Sequence, residues 1–197
     1  MSSEIKANKI SPATGTAFQF GDSGDTFTVP SGVTLTNSGT ASGFGDEAQY
    51  FFARMTGSNQ NVNDNTATKI NINNEVLDNK SIFDTTNNKL VITADTAGIW
   101  EISGQVAGHQ ITTSYLLRVF ALLYKNGSSL GDAYDSLHDI DGPFGLGFTT
   151  QSVSAIVSLA SGDYVELFGQ VARSYGSGQN EVMQRGTNFF GHRIKAA

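Results

Sequence analysis

The stretch YLLRVFALLYK, residues 115 to 125, alternates with the period of a strand, yet neither of its faces is polar. Leu117, Val119, Ala121 and Leu123 form one row; Leu116, Phe120, Leu122 and Tyr124 form the other, broken only by Arg118. A strand in a two-sheet sandwich needs just one apolar face, because its other side meets water. AQYFFARM and NFFGHRI repeat the pattern, setting Phe51 beside Phe52 and Phe189 beside Phe190. Aromatic rows on both faces of several strands imply a second buried surface outside the core. Self-association is the economical way to supply it, since a large exposed apolar patch on a lone chain is an aggregation hazard. The residues expected at that contact are Tyr50, Phe52, Leu116, Phe120, Leu122, Phe168 and Phe190.

Period-two runs recur along the chain, and no window of a dozen residues carries a 3.6-residue apolar repeat. The predicted strands are AQYFFARM, KINI, KLVITA, GIWEISGQVA, YLLRVFALLYK, SVSAIVSLA, YVELFGQVAR and NFFGHRI, with a weaker one around GDAYDSL. Asp78-Asn79, Asn87-Asn88, Asn126-Gly127 and Gly162-Asp163 mark turns between them. Only 15% of residues are charged, while 22 are glycine and Asn, Ser and Thr abound, a composition that favours turns over helix interiors. Eight or nine antiparallel strands in about 150 residues predict an all-β, jelly-roll sandwich. A core of that length buries about 68 to 70% of its unfolded surface, so the absence of cysteine is no handicap.

The composition breaks near TASGFGDE, dividing a segment of residues 1–45 from a head of residues 46–197. Before the break, Phe18 and Phe20, Phe27 and Val29, and Val33 and Leu35 are apolar pairs separated by Gly, Ser, Asp or Pro. They predict short strands too thin to enclose a core, lying against copies of themselves as repeat units do.

The formal charge is −6, from 18 acidic and 12 basic side chains, and the basic ones are scattered singly. That argues against nucleic acid, whose affinity comes from clustered Lys and Arg displacing counterions. MSSEIKANKI has no apolar run behind a basic end, and nothing later approaches the ~18 apolar residues of a membrane helix. The expectation is a chain made in a cytosol, without an export signal of its own and without membrane insertion.

The order of motifs resembles the globular head of complement component one q and the tumour necrosis factor superfamily, over about residues 48 to 195. Gly98-Ile99-Trp100 matches the Gly-aliphatic-aromatic start of a central strand. Leu159, Gly162, Asp163, Val165 and Leu167 match a Leu-x-x-Gly-Asp-x-Val-x-Leu turn that closes a hairpin, and Phe189, Gly191 and Ile194 match the terminal strand. The stretch from Gly127 to Gln151 departs from the family as an insert. The resemblance implies a homotrimer of jelly rolls that binds with its surface and has no catalytic centre; no cofactor is expected and no residue is assigned to a metal. ANKISPATGTAFQFGDSGDTFTVPSGVTLTNSGTASGFG, in turn, is similar to shaft segments that precede receptor-binding heads in bacteriophage tail fibres. Together they imply a tail fibre or receptor-binding protein located in the virion. Its N-terminal segment would dock to the virion tail or an adaptor protein. Its head would bind host surface polysaccharide or an outer-membrane protein. The alternative is a secreted or surface lectin-like recognition module of the same superfamily.

If the chain enters the head at one end, strand alternation sends residues 109–114, 138–150 and 174–186 to the far end, joined by 56–68. Loops on a rigid scaffold are the natural binding surface. In HDIDGPFGLGF, Asp139 and Asp141 are either ligands for a hard cation or turn formers, and the third ligand and distant Glu of a calcium loop are missing. Phe144 is either ligand-facing or a plug reaching the core, and Phe148 is expected to be a plug. Tyr175, Gln179, Asn180 and Arg185 offer hydrogen bonds and stacking to a sugar or protein receptor, unless they form a plain solvated loop. His109, His138 and His192 lack zinc spacing. Glu166 could be the acid of a glycosidase only with a second carboxylate across a cleft.

Overall fold

The computed structural model describes residues 22, 24–34, 36, 38, 48–110, 116–130, 148–173 and 180–196. Two compact units divide the chain, Met1–Phe44 and Gly45–Ala197.

The described part of the first unit is built of turns. The Asp25 carboxylate accepts the Asp22 N–H at 2.8 Å, while the Asp25 N–H donates to the Asp22 carbonyl. The Val33 N–H donates to the Pro30 carbonyl, across Gly32 at φ +85°, a conformation glycine adopts without strain. The short strands expected at Phe27–Val29 and at Val33 do not form, because two apolar residues between turns are too short a run to hold a ladder. Phe27, Val29 and Val33 are exposed. Phe18, Phe20 and Leu35 lie outside the described residues.

In the second unit the strands are β1 (Tyr50–Arg54), β2 (Gln60–Val62), β3 (Thr68–Lys69), β4 (Asn74–Asp78), β5 (Phe83–Asp84), β6 (Lys89–Val91), β7 (Gly98–Gln110), β8 (Leu116–Lys125), β9 (Ser128–Ser129), β10 (Phe148–Leu159), β11 (Tyr164–Arg173), β12 (Asn180–Val182) and β13 (Asn188–Ala196). They make two antiparallel sheets, the sandwich that the alternation predicts. Sheet A runs β4–β1–β13–β7–β10, with β12 continuing the β13 edge of β7 and β2 outside it. Sheet B runs β5–β6–β11–β8–β9, and β3 joins the same edge of β11 as β6. The weak strand expected at GDAYDSL lies outside the described residues.

Inward rows of both sheets close one core around Trp100, Phe51, Phe189, Ile102, Leu123 and Leu167. Phe51 stacks on Phe83 at 5.5 Å and meets the edge of Phe189 at 5.0 Å. The Trp100 indole N–H donates to the Thr96 carbonyl at 2.9 Å, so its one polar atom is satisfied in the interior. Gly104 and Gly169 face this core because there is no room for more: a Cβ on Gly104 would lie 2.4 Å from Leu167 Cδ1.

Two expectations are corrected here. Leu116 belongs to the core rather than to an outer row, being 1% exposed. The ladder between β8 and β11 shifts register at Ala172/Arg173, where Leu117 is left without a counterpart. That bulge reverses the alternation and puts Leu116 in phase with Val119, Ala121 and Leu123. The turn at Gly162-Asp163 closes no hairpin either. It carries the chain from β10 in sheet A to β11 in sheet B, each of which owes an apolar row to the shared core. Asp163 holds this turn by accepting from Lys125, the Asn126 amide and the Ala160 N–H, and these donors, Lys125 foremost, lower its pKa from 3.8 to about 2.

Candidate functional site

β7 spans the full height of sheet A and acts as its ruler. Pairing across it sorts the outward side chains into rows. Tyr50, His192, Glu101 and Ile156 form the first. Leu77, Phe52, Phe190, Ser103 and Ser154 form the second. Asn74, Arg54, Asn188, Gln105 and Ser152 form the third. The face is graded: apolar side chains gather in the first two rows, polar ones beyond.

Tyr50, Leu77, Ile156 and Phe190 are all exposed in this row system, Ile156 at 71%, and Ile99 and Ile194 extend the patch. Phe52 and Phe190 meet edge to face at 6.4 Å. His192 and Glu101 approach to 3.8 Å in its midst. Toward β10 the surface becomes hydroxylic, with Ser103 donating to Ser154 at 2.8 Å.

The outer face of sheet B differs. Phe120, Leu122, Tyr124 and Phe168 are half-buried, and Tyr124 stacks on Phe168 at 4.0 Å. The segment around β3 flanks this face along the edge of β11: Lys69 pairs with Glu166, and Gln170 donates to Asn65 at 2.7 Å. The set expected at one contact therefore falls into three places. Tyr50, Phe52 and Phe190 are on sheet A, Phe120, Leu122 and Phe168 on the opposite face, and Leu116 inside. Glu166 is a buried ion-pair partner of Lys69.

The ends of β1, β7 and β11 and the starts of β8, β10 and β12 share one end of the sandwich, as strand alternation predicts. There Asp64 accepts the Arg173 N–H at 3.0 Å and the Asn180 amide at 2.9 Å, and that amide also reaches the Val171 carbonyl. Asn180, 1% exposed, is thus a tie between strands and is withdrawn from any receptor surface. Phe148 is no plug: it stands exposed opposite His109. His109 in turn faces Glu181 at 3.6 Å. Arg185 is exposed on the turn between β12 and β13. Asp139, Asp141, Phe144, Tyr175 and Gln179 lie outside the described residues. Among the described residues, no group of three metal-ligating side chains occurs and no helix is long and apolar enough to cross a membrane. Asn79-Lys80-Ser81 and Asn126-Gly127-Ser128 have the form of glycosylation sequons, and both asparagines use their amides internally, Asn79 on Ala48 and Asn126 on Asp163.

Sequence reasoning missed Ile156, Ile99 and Leu77 on the apolar face and Arg54 beside it. Ile156 had a signal, as the one large apolar residue in the outward row Ser152, Ser154, Ile156, Ser158. Leu77 had none, because β4 is a short polar edge strand.

No protein-family model matches this chain, and no curated protein matches it. Solved structures do. Murine APRIL at pH 8.0 superposes with a TM-score of 0.51 at 12% identity, over 75% of this chain and 100% of that one. The pH 8.5 structure of murine APRIL gives 0.50 at 12%, over 75% and 100%. Eiger TNF from S. frugiperda gives 0.48 at 12%, over 76% and 93%. The fold is the jelly roll of tumour necrosis factor-family proteins. At such identity the likeness to murine APRIL speaks for fold and nothing finer.

Proposed function

We propose that this chain is a self-associating recognition module that binds its target by surface contact and performs no chemistry on it. Three heads pack through the apolar rows of sheet A, and the end that gathers the ties of Asp64 and the exposed Phe148 and Arg185 faces the target. The observation that carries the reading is the exposure of Tyr50, Leu77, Ile156 and Phe190 on one face of a single chain. The shared jelly-roll fold supports it, and a threefold assembly presents three copies of each weak contact, which avidity multiplies. Sedimentation velocity at micromolar concentration tests it: a trimer is expected, and a monomer overturns the proposal.

The setting we infer is the tip of a bacteriophage tail fibre, made in a bacterial cytoplasm and carried on the virion. In it the N-terminal segment docks to the tail or an adaptor, and the head contacts host polysaccharide or an outer-membrane protein. It rests on the likeness of GDSGDTFTVPSGVT to fibre shaft segments and on the described part of the first unit, where turns at Gly24 and at Ser31 and Gly32 accompany exposed Phe27, Val29 and Val33. The other setting is a secreted or surface recognition module. Labelled antibody against the head decorating virion tails favours the first, and recovery of the protein from culture medium of uninfected cells refutes it.

A further inference from the structure

We infer that the depression between the end of β1 and the β12–β13 turn binds an acidic sugar residue through its carboxylate, with Arg54 and Arg185 as the two anchors. This rests on the recognition reading and names its ligand class.

The chain has five arginines. Arg173 sits against Asp64, Arg193 is buried and donates to the Asp95 and Ala97 carbonyls, and Arg118 is half-buried. The two exposed ones, Arg54 and Arg185, line the same depression of ≈ 510 Å³, with Phe52, Thr56, Gln184 and Asn188. No Asp or Glu lines it, and no carboxylate among the described residues forms an ion pair with either guanidinium. In a chain of net charge −6, two uncompensated cations in one hollow create a local anion preference against the overall field. Guanidinium forks match the planar, two-oxygen geometry of a carboxylate.

The hollow is built rather than incidental. Gly186, at φ +86°, turns the chain tightly after Arg185. Thr187 then locks the turn: its hydroxyl donates to the Met183 carbonyl and accepts the Ala107 N–H, while its carbonyl accepts the Met55 N–H. The Gln184 N–H donates to the Asn59 side chain at 3.2 Å, fixing the near side. Across the hollow, Arg54 Nε donates to Asn74 at 3.4 Å, leaving its terminal nitrogens for a ligand. Asn188 gives its amide N–H to Gln105, which leaves its carbonyl to accept a sugar hydroxyl. The Phe52 ring, braced by Phe190, offers the apolar surface on which the C–H face of a pyranose packs. The volume suits one or two sugar rings. Apart from Phe52, which the hollow shares with the edge of the second apolar row, its lining lies beyond both rows, so packing through them leaves the two arginines at the rim.

The test uses the full chain in 150 mM salt on immobilised polygalacturonate, alginate and polysialic acid, each beside its carboxyl-reduced form, with dextran sulfate as the alternative anion. Binding to at least one carboxylate polymer is expected, abolished by carboxyl reduction. R54A and R185A should each weaken it roughly tenfold or more, the loss of a charge-assisted hydrogen-bonded contact. The R54K/R185K chain should fall between wild type and R54A/R185A, because charge survives and the fork does not. Melting temperatures should not move, since both side chains are exposed. Indifference of R54A/R185A, survival of binding after carboxyl reduction, stronger binding to dextran sulfate, or no binding to any of the three polymers overturns the inference. Sedimentation of the same samples separates the two levels: a trimer that adheres to cells but ignores carboxylates sinks this inference alone, and a monomer sinks the recognition reading too.

Discussion

Replacing Phe190 by serine probes the apolar face of sheet A at its centre. Phe190 is 43% exposed in the single chain. An aromatic side chain presents roughly 150–250 Å² to bury, so the uncovered share is about 85 Å². At about 25 cal/mol per Å², sealing it contributes ~2 kcal/mol per contact, or ~6 kcal/mol over the three contacts of a trimer. The assembly constant should therefore fall by roughly four powers of ten. Within the chain Phe190 has an edge contact with Phe52 at 6.4 Å, and such pairs contribute about 0.5–1.5 kcal/mol, so the fold should survive. Sedimentation velocity across a concentration series reads the difference, with thermal melting as the folding control. Phe168→Ser, on the opposite sheet, is the comparison. If F190S dissociates at the same concentration as wild type while F168S falls apart, the apolar rows of sheet A are not the contact.

Leu116→Ala should destabilise the fold by ~2–5 kcal/mol in urea, the cost of a core cavity, and an unchanged midpoint would return Leu116 to the surface. Gly104→Ala should cost ~1–3 kcal/mol by driving a methyl into Leu167, and a second change, Leu167→Ala, should show non-additive relief in a double-mutant cycle. Asp163→Asn tests linkage. A carboxylate held at about 2 in the fold against an ordinary 3.8 stabilises the protein above pH ~4, and that stability drains away as pH falls through about 2. Wild type should exceed D163N by ~1 kcal/mol at pH 7, a figure discounted for partial solvent contact, and the gap should close between pH ~4 and 2. A gap independent of pH would refute the assignment.

The long strands were legible because each carries an inward row that the core demands. Phe51 and Phe52, or Phe189 and Phe190, announce their opposite destinations by adjacency alone. What adjacency does not encode is a bulge, and one extra residue at Leu117 moved Leu116 from surface to core. Nor does local pattern say which sheet a strand joins: the Gly162-Asp163 turn looks the same whether it closes a hairpin or crosses the sandwich. The short strands β2, β4 and β12 escaped notice because Gln60–Val62, Asn74–Asp78 and Asn180–Val182 draw their pairing from longer neighbours rather than from their own apolar content. The Arg54–Arg185 hollow joins residues 131 positions apart, a proximity that only the ladder of β1 on β13 creates.

β12 and β13 lie end to end along one edge of β7, each registered to it separately. The five residues between them hang from a continuous template that remembers the alignment on both sides. Met183 and Thr187 are tied to Ala107, but the tip from Gln184 to Gly186 can change without either strand slipping, so an evolving lineage could exchange Arg185 to meet a new surface while the scaffold beneath keeps its sequence.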